Sequence, residues 1–72
     1  MVSFSPLHTV GNQMIETILQ HQNVSKAQAR EIAVRNLREV GVPAPDERVD
    51  MYAWELSGGL RQRAMIAMAL AC

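Results

Sequence analysis

The end of this sequence is its most constraining feature, because it is apolar throughout. Residues 64–72 read AMIAMALAC and contain no charged side chain. A helix that is apolar on every side must be surrounded by other protein, and a chain of 72 residues offers little to surround it with. We therefore expect that some of the structure that covers this helix is missing from the chain.

Small chains usually need extra support, and this one lacks the common kinds. Below about 70–80 residues one apolar core seldom supplies more than about 3–5 kcal/mol, so disulfides, a metal or a partner are usual. Cys72 is the only cysteine, which excludes an internal disulfide and fits a reducing, intracellular compartment. His8 and His21 are isolated from other metal ligands, so we expect no metal site.

Charge and hydropathy argue against a nucleic-acid-binding module and against a membrane-spanning segment. The chain has 7 basic and 7 acidic residues and zero net charge, whereas nucleic-acid modules usually carry a basic face. We therefore expect no nucleic-acid partner. No apolar run reaches the length that spans a bilayer, and residues 1–6 lack the basic start and apolar core of a leader.

Apolar periodicity predicts an all-α unit of about three helices with no strand. The first helix runs from about Val10 to Gln22 with Thr9 as its cap. Its apolar stripe consists of Met14, Ile15, Ile18 and Leu19. The second helix begins at Lys26, because Ser25 and Gln28 form a capping box. Its stripe consists of Ala29, Ile32, Ala33, Leu37 and Val40.

Glycine and proline predict where the second helix ends and how the third is reached. Gly41 can take the left-handed conformation that closes a helix, and Val42 then packs back onto Leu37. Prolines cannot continue a helix, so residues 44–55 form a connector with one short turn that begins at Asp46. The third helix starts at Ser57, whose hydroxyl can cap it.

The start of the third helix is the chemically distinctive part of the chain. A helix N-terminus presents unpaired N–H groups and the positive end of the helix dipole. Gly58 and Gly59 let an anion approach these groups without obstruction by side chains, so Ser57, Gly58 and Gly59 suit a phosphate. A serine cap followed by glycines also often does no more than start a helix, and local chemistry leaves both interpretations open.

The longer string around these residues resembles a known motif. Residues 56–63, LSGGLRQR, closely resemble the signature motif of ABC ATPases. Residues 5–11, SPLHTVG, resemble the segment after the Q-loop in dipeptide and oligopeptide importer ATPases, and Tyr52 and Glu55 fit that family's approach to the signature. The resemblance implies that residues 1–72 are a partial ABC-type ATP-binding domain. They would form its helical subdomain, from just after the Q-loop to just before Walker B, without the parent α/β P-loop core.

The resemblance also implies a function that two subunits share. In such proteins two ATP-binding subunits close head to tail on two ATP molecules, beneath permease subunits at the cytoplasmic face of the membrane. Ser57, Gly58 and Gly59 would contact the γ-phosphate of the ATP held by the partner subunit, and Leu60 and Gln62 are further candidates.

The implied cofactors are ATP and Mg²⁺, and the implied activity is ATP hydrolysis that drives import of peptides or similar small solutes. Because the Walker motifs, the Mg²⁺ ligands and the catalytic residues would lie outside residues 1–72, we expect this fragment alone to be inactive.

Several side chains near the motif have simpler interpretations. Leu60 stands where the general signature has glutamine, and peptide-importer members commonly have an apolar residue there. Trp54 stands where many relatives carry another residue, and we expect it to pack against the subdomain, with contact to a partner as the alternative. For Arg61 and Arg63 we expect structural roles, with contact to nucleotide or to the subunit interface as the alternative.

A second hypothesis is a free-standing three-helix interaction module, whose apolar last helix would bury itself against a partner protein. The apolar stripes permit this module, but it does not explain why residues 56–63 match the signature so closely.

Overall fold

The computed structural model describes residues 4–71, and within them the chain is all-α, as predicted. The predictions for Cys72 and for residues 1–3 lie outside the described part. The connector holds more helical structure than expected, in the form of a four-residue helix and a 3-10 turn. The elements in order are α1 Val10–His21, α2 Lys26–Glu39, α3 Pro45–Arg48, the 3-10 turn Ala53–Glu55 and α4 Gly58–Leu70.

The first two helices begin as their capping residues predict. The Thr9 hydroxyl accepts a hydrogen bond from the amide of Asn12 at 3.1 Å. The Ser25 hydroxyl accepts one from the amide of Gln28 at 3.1 Å, and the Ser25 amide donates to Oε1 of Gln28 at 2.9 Å. Both predicted caps, including the capping box, are confirmed.

The end of α2 is closed by a left-handed glycine, also as predicted. Gly41 has φ of +89°, a conformation that side chains rarely adopt. The amide of Val42 donates to the carbonyl of Leu37, and the amide of Gly41 donates to the carbonyl of Arg38, both at 3.0 Å. These two bonds form a Schellman motif, in which Leu37 and Val42 are both buried in the core.

The core lies where α2 packs against both α1 and α4. Small residues bring the helices close together, since Ala29 and Ala33 on α2 and Ala64 and Ala67 on α4 are fully buried. The largest fully buried side chains are Met14, Ile18, Leu37, Val10 and Val49. On the predicted apolar face of α1, Met14, Ile15 and Ile18 are buried, whereas Leu19 is 40% exposed.

The connector packs against the start of α1 through its backbone. The amide of Val10 donates to the carbonyl of Met51 at 2.9 Å, and that of Gly11 donates to the carbonyl of Val49 at 2.7 Å. Thr9 and Tyr52 form an isolated antiparallel bridge beside these bonds. The connector therefore occupies backbone donors that the first turn of a helix usually leaves free.

The short helix α3 begins one residue earlier than predicted, at Pro45 instead of Asp46. Proline suits this first helical position because its fixed φ matches the helix and it has no N–H to satisfy. After α3, the two terminal guanidinium nitrogens of Arg30, Nη1 and Nη2, donate to the carboxylate of Asp50, at 2.9 and 2.8 Å. This bidentate ion pair fastens the connector to α2.

The last helix is only partly covered, as its apolar sequence predicts. Its inner face is buried, whereas Ile66 is 50% and Leu70 is 62% exposed. No helix in the described part of the chain is long and apolar enough to cross a membrane.

Candidate functional site

The candidate site is the start of α4, where Ser57 caps the helix. Ser57 has the extended backbone of an N-cap residue, with φ of −60° and ψ of 161°. Its hydroxyl accepts a hydrogen bond from the amide of Leu60 at 3.3 Å, and its carbonyl accepts one from the amide of Arg61 at 2.9 Å. The predicted cap is therefore confirmed, and the preceding side chain, Leu56, is buried in the core and fixes where the helix begins.

Gly58 and Gly59 present an open surface at this helix start. No described residue accepts a hydrogen bond from either amide. A Cβ atom placed on either glycine would meet nothing within 4 Å, and both residues are exposed. The packing of the described chain therefore gives no reason for glycine at these positions. Two free N–H groups and the positive end of the α4 dipole face open space there.

The other predicted site residues differ in their surroundings. Leu60 is partly buried and packs against the core, so its side chain has a structural role in this chain. Gln62 and Arg61 are exposed on the first turns of α4. The guanidinium of Arg63 donates to the carbonyl of Gly41 at 3.3 Å and so links α4 to the end of α2. This contact supports the structural role that we expected for Arg63.

A stacked aromatic pair precedes the site in the sequence. The Tyr52 and Trp54 rings stack with centroids 5.9 Å apart and an interplanar angle of 18°. Trp54 is 65% exposed, so the prediction that it packs within the subdomain is wrong. The amide of Tyr52 donates to Oε1 of Glu55 at 2.9 Å, which stabilises the 3-10 turn between them. The turn points the indole outward because its buried positions are taken by Ala53 and Leu56.

No sequence pattern predicted the pairing between Gly11 and Val49. A glycine in the first turn of an otherwise regular helix is the one feature that suggests a close backbone approach there. Among residues 4–71, no group of three or more His, Cys, Asp or Glu side chains is placed to hold a metal ion.

Known proteins match this chain along its whole length. The probable peptide ABC transporter ATP-binding protein y4tR of Sinorhizobium fredii is 54% identical over all 72 residues. The oligopeptide transport ATP-binding protein OppD of Escherichia coli is 50% identical over 72 residues, and the dipeptide transport ATP-binding protein DppD of that organism is 49% identical. The chain is homologous to a segment of peptide ABC transporter ATP-binding proteins.

This segment spans about a fifth of the curated relatives that it matches: 22% of y4tR and DppD, and 21% of OppD. No protein-family model matches the sequence. The predicted resemblance to peptide-importer ATP-binding subunits is confirmed by the relatives, which match all 72 residues. Its role in contact with nucleotide remains a prediction.

Proposed function

We propose that this chain is the helical subdomain of an ATP-binding subunit that drives peptide import. In this proposal residues 1–72 are part of an ABC-type ATP-binding domain, and Ser57, Gly58 and Gly59 contact the γ-phosphate of ATP held by a second subunit. Support comes from the relatives, whose names are those of peptide, dipeptide and oligopeptide transport ATP-binding proteins.

One observation carries the assignment of the site. Glycine loses more conformational freedom on folding than any other residue, and α4 begins with two glycines where the described chain has no steric need for either. A close approach by a molecule outside the chain supplies the missing reason. Because the amides of Gly58 and Gly59 are unpaired, the approaching group should be an acceptor of hydrogen bonds, and the helix dipole favours an anion.

The chemical contribution of these residues would be electrostatic. Two amides and the Ser57 hydroxyl can donate to the equatorial oxygens of a γ-phosphate as charge spreads over them in the transition state. The Ser57 hydroxyl already accepts a bond from the amide of Leu60, so its own proton is available for donation. Mg²⁺, the phosphate-binding lysine and the residue that orients water would come from other segments of the two subunits.

The proposal includes partners and a location. A second ATP-binding subunit would supply the ATP that this site contacts, and permease subunits would carry the solute at the cytoplasmic face of the membrane. Residues 4–71 would then act in ATP hydrolysis only as part of the longer subunit, so the chain alone should not hydrolyse ATP.

A chimera tests the site directly. The corresponding segment of the Escherichia coli dipeptide transport ATP-binding protein is replaced by this chain, and Gly59→Asp is compared with Ala27→Asp. The two substitutions are matched, because both place a carboxylate at the second position of an exposed helix start, where the dipole favours it. Neither should unfold the protein.

Only Gly59→Asp should abolish hydrolysis, because its carboxylate repels the γ-phosphate and crowds the backbone approach. Binding of ATP, measured separately, should persist in both variants, since each subunit holds ATP in its own phosphate-binding loop. Phosphate release at the unsubstituted rate in Gly59→Asp, or loss of ATP binding together with hydrolysis, would contradict the proposed contact across a dimer.

A further inference from the structure

The connector and the start of α1 are joined by backbone contacts at three successive positions. Thr9 forms the antiparallel bridge with Tyr52. The amides of Val10 and Gly11 then donate to the carbonyls of Met51 and Val49, at 2.9 and 2.7 Å. The first two positions of a helix normally leave their amides free, so these bonds form a specific junction between the two segments.

Gly11 is the closest point of this junction. A Cβ atom on Gly11 would lie 2.5 Å from Cγ2 of Val49 and 2.6 Å from the Val49 carbonyl oxygen. Both residues are buried, and Val49 has no exposed surface at all. A methyl group can be accommodated only if the two backbones separate, because the carbonyl oxygen has no rotamer to change. Glycine at this position therefore sets the distance between α1 and the connector.

The junction continues without a flexible gap to Ser57. The Tyr52 amide donates to the Glu55 side chain at 2.9 Å, and the amide of Leu56 donates to the carbonyl of Ala53 at 3.1 Å. The side chains of Ala53 and Leu56 are buried in the core. A displacement of Tyr52 is thus transmitted through one short, hydrogen-bonded turn to the residue that caps α4.

We propose that Gly11 is a positioning residue for the start of α4, and that its contact with Val49 holds Ser57, Gly58 and Gly59 in place. This inference rests on the proposed function for its effect on turnover, but not for its effect on structure. Gly11 itself touches no nucleotide in this proposal. It acts through the backbone of the connector, from a position far from Ser57 in the sequence.

A wild-type measurement tests the junction first. Hydrogen exchange of the 72-residue chain compares Val10 and Gly11, the first two positions of α1, with Gly58 and Gly59, the first two positions of α4. We expect the amides of Val10 and Gly11 to be protected and those of Gly58 and Gly59 to exchange as free amides. Unprotected exchange at Val10 and Gly11 would overturn the inference without any variant.

The aromatic pair then reports on positioning. The chain has one Trp and one Tyr, and they stack on each other, so its near-ultraviolet circular dichroism comes almost entirely from this pair. Gly11→Ala should remove most of that signal while the helical far-ultraviolet signal stays. Leu37→Ala is the matched control, because it weakens the core at a buried α2 position and should leave the aromatic signal of the folded chain intact. An unchanged signal in Gly11→Ala would refute the positioning role.

A double variant separates side-chain from backbone contact. Val49→Ala removes the atom 2.5 Å from the added methyl group but leaves the carbonyl oxygen 2.6 Å from it. Gly11→Ala/Val49→Ala should therefore not recover the aromatic signal. Recovery would mean that the backbone spacing is not what positions the connector, and the inference would fail.

The effect of Gly11 on turnover is measured in the chimera with the Escherichia coli dipeptide transport ATP-binding protein. Gly11→Ala should lower kcat by about 100-fold, the cost of a displacement near 1 Å at a catalytic contact, with ATP affinity unchanged. Leu37→Ala should keep the kcat of the folded fraction. If the unsubstituted chimera hydrolyses no ATP, the proposed function fails while the exchange and aromatic tests still decide the role of Gly11. If the chimera is active and Gly11→Ala keeps its kcat, the positioning role fails alone.

Discussion

The starts of α1 and α4 have the same local design and opposite surroundings. Each is capped by a hydroxyl that accepts from the third helical amide, and each has glycine at its second position, Gly11 in α1 and Gly59 in α4. In α1 the connector covers the free amides and leaves no room for a methyl group at Gly11. In α4 a Cβ atom placed on Gly59 would meet nothing within 4 Å.

Gly11 and Gly59 therefore have different reasons for being glycine. At Gly11 the reason lies inside the described chain, because another backbone is in contact with it. At Gly59 the described chain supplies no steric reason, and the proposed function supplies one, which is an anion that approaches the backbone from outside the chain. A glycine at the second helical position thus serves packing at Gly11 and, in the proposed function, an open binding surface at Gly59.

The largest effect on stability is expected at the start of α1. Gly11→Ala should lower the free energy of unfolding by about 2–3 kcal/mol, because overpacking at a buried backbone contact forces the elements apart. Urea denaturation of the chain, with the midpoint compared against wild type, measures this. A loss of less than about 0.5 kcal/mol, the range of ordinary surface substitutions, would show that a methyl group fits between Gly11 and Val49.

The next largest effects are expected at the two serine caps, Ser25 and Ser57. Ser25 and Ser57 both accept from the third helical amide, at 3.1 and 3.3 Å, so replacing either with alanine should cost about 1 kcal/mol of stability. Only Ser57→Ala should also slow phosphate release by the chimera, because only that hydroxyl faces the proposed phosphate. Equal turnover in the two variants would reduce Ser57 to a structural cap.

Sequence patterns predicted the helices of this chain well because their signals are local. The caps at Thr9, Ser25 and Ser57 and the left-handed Gly41 depend on a few neighbouring residues and a known backbone geometry. The family was also readable, because LSGG followed by Gln-Arg is a compact string. The start of α4 and the open space around Gly58 and Gly59 follow from the same local rules.

What the sequence did not predict depends on contacts between distant segments. The junction of Gly11 with Val49 joins residues that no periodic pattern relates. Trp54 was expected to be buried because tryptophan usually is, but the 3-10 turn buries Ala53 and Leu56 and leaves the indole outside. Leu19 lies on the apolar stripe of α1 but is 40% exposed, because periodicity assigns a residue to a face without saying how much of that face is covered.

A smaller change in stability, opposite in sign to that of Gly11→Ala, is expected at the start of α4. Gly59→Ala should raise the free energy of unfolding of the chain by roughly 0.5 kcal/mol, since alanine restricts the unfolded state and the site has room for a methyl group. In the chimera the same variant should slow hydrolysis, because the methyl group obstructs the backbone. Destabilisation of the chain by Gly59→Ala would show that this helix start is packed instead of open.

The smallest expected effect concerns the ion pair that fastens the connector behind Gly11. The bidentate hydrogen bonds from Arg30 hold the pKa of the Asp50 carboxyl below its ordinary value. A carboxyl whose folded pKa is depressed adds stability that is complete above its unfolded pKa of about 4 and is lost as the pH falls through the folded pKa. Because Arg30 and Asp50 are 44% and 63% exposed, solvent screens the pair, and it should contribute no more than about 0.5 kcal/mol.

Asp50→Asn tests this contribution, because it removes the charge and keeps the shape of the side chain. The difference in urea midpoint between wild type and Asp50→Asn should be constant from pH 7 down to about pH 4, near the unfolded pKa of aspartate, and should shrink below it. If the protein follows this course, acid should also weaken the hydrogen-exchange protection of Val10 and Gly11, because the connector that supplies their acceptors is fastened to α2 at Asp50. The free amides of Gly58 and Gly59 have no such fastening, so their opening should not depend on that pair. A difference in midpoint that grows as the pH falls below 4 would mean that the ionised Asp50 carboxyl opposes folding instead of stabilising the connector.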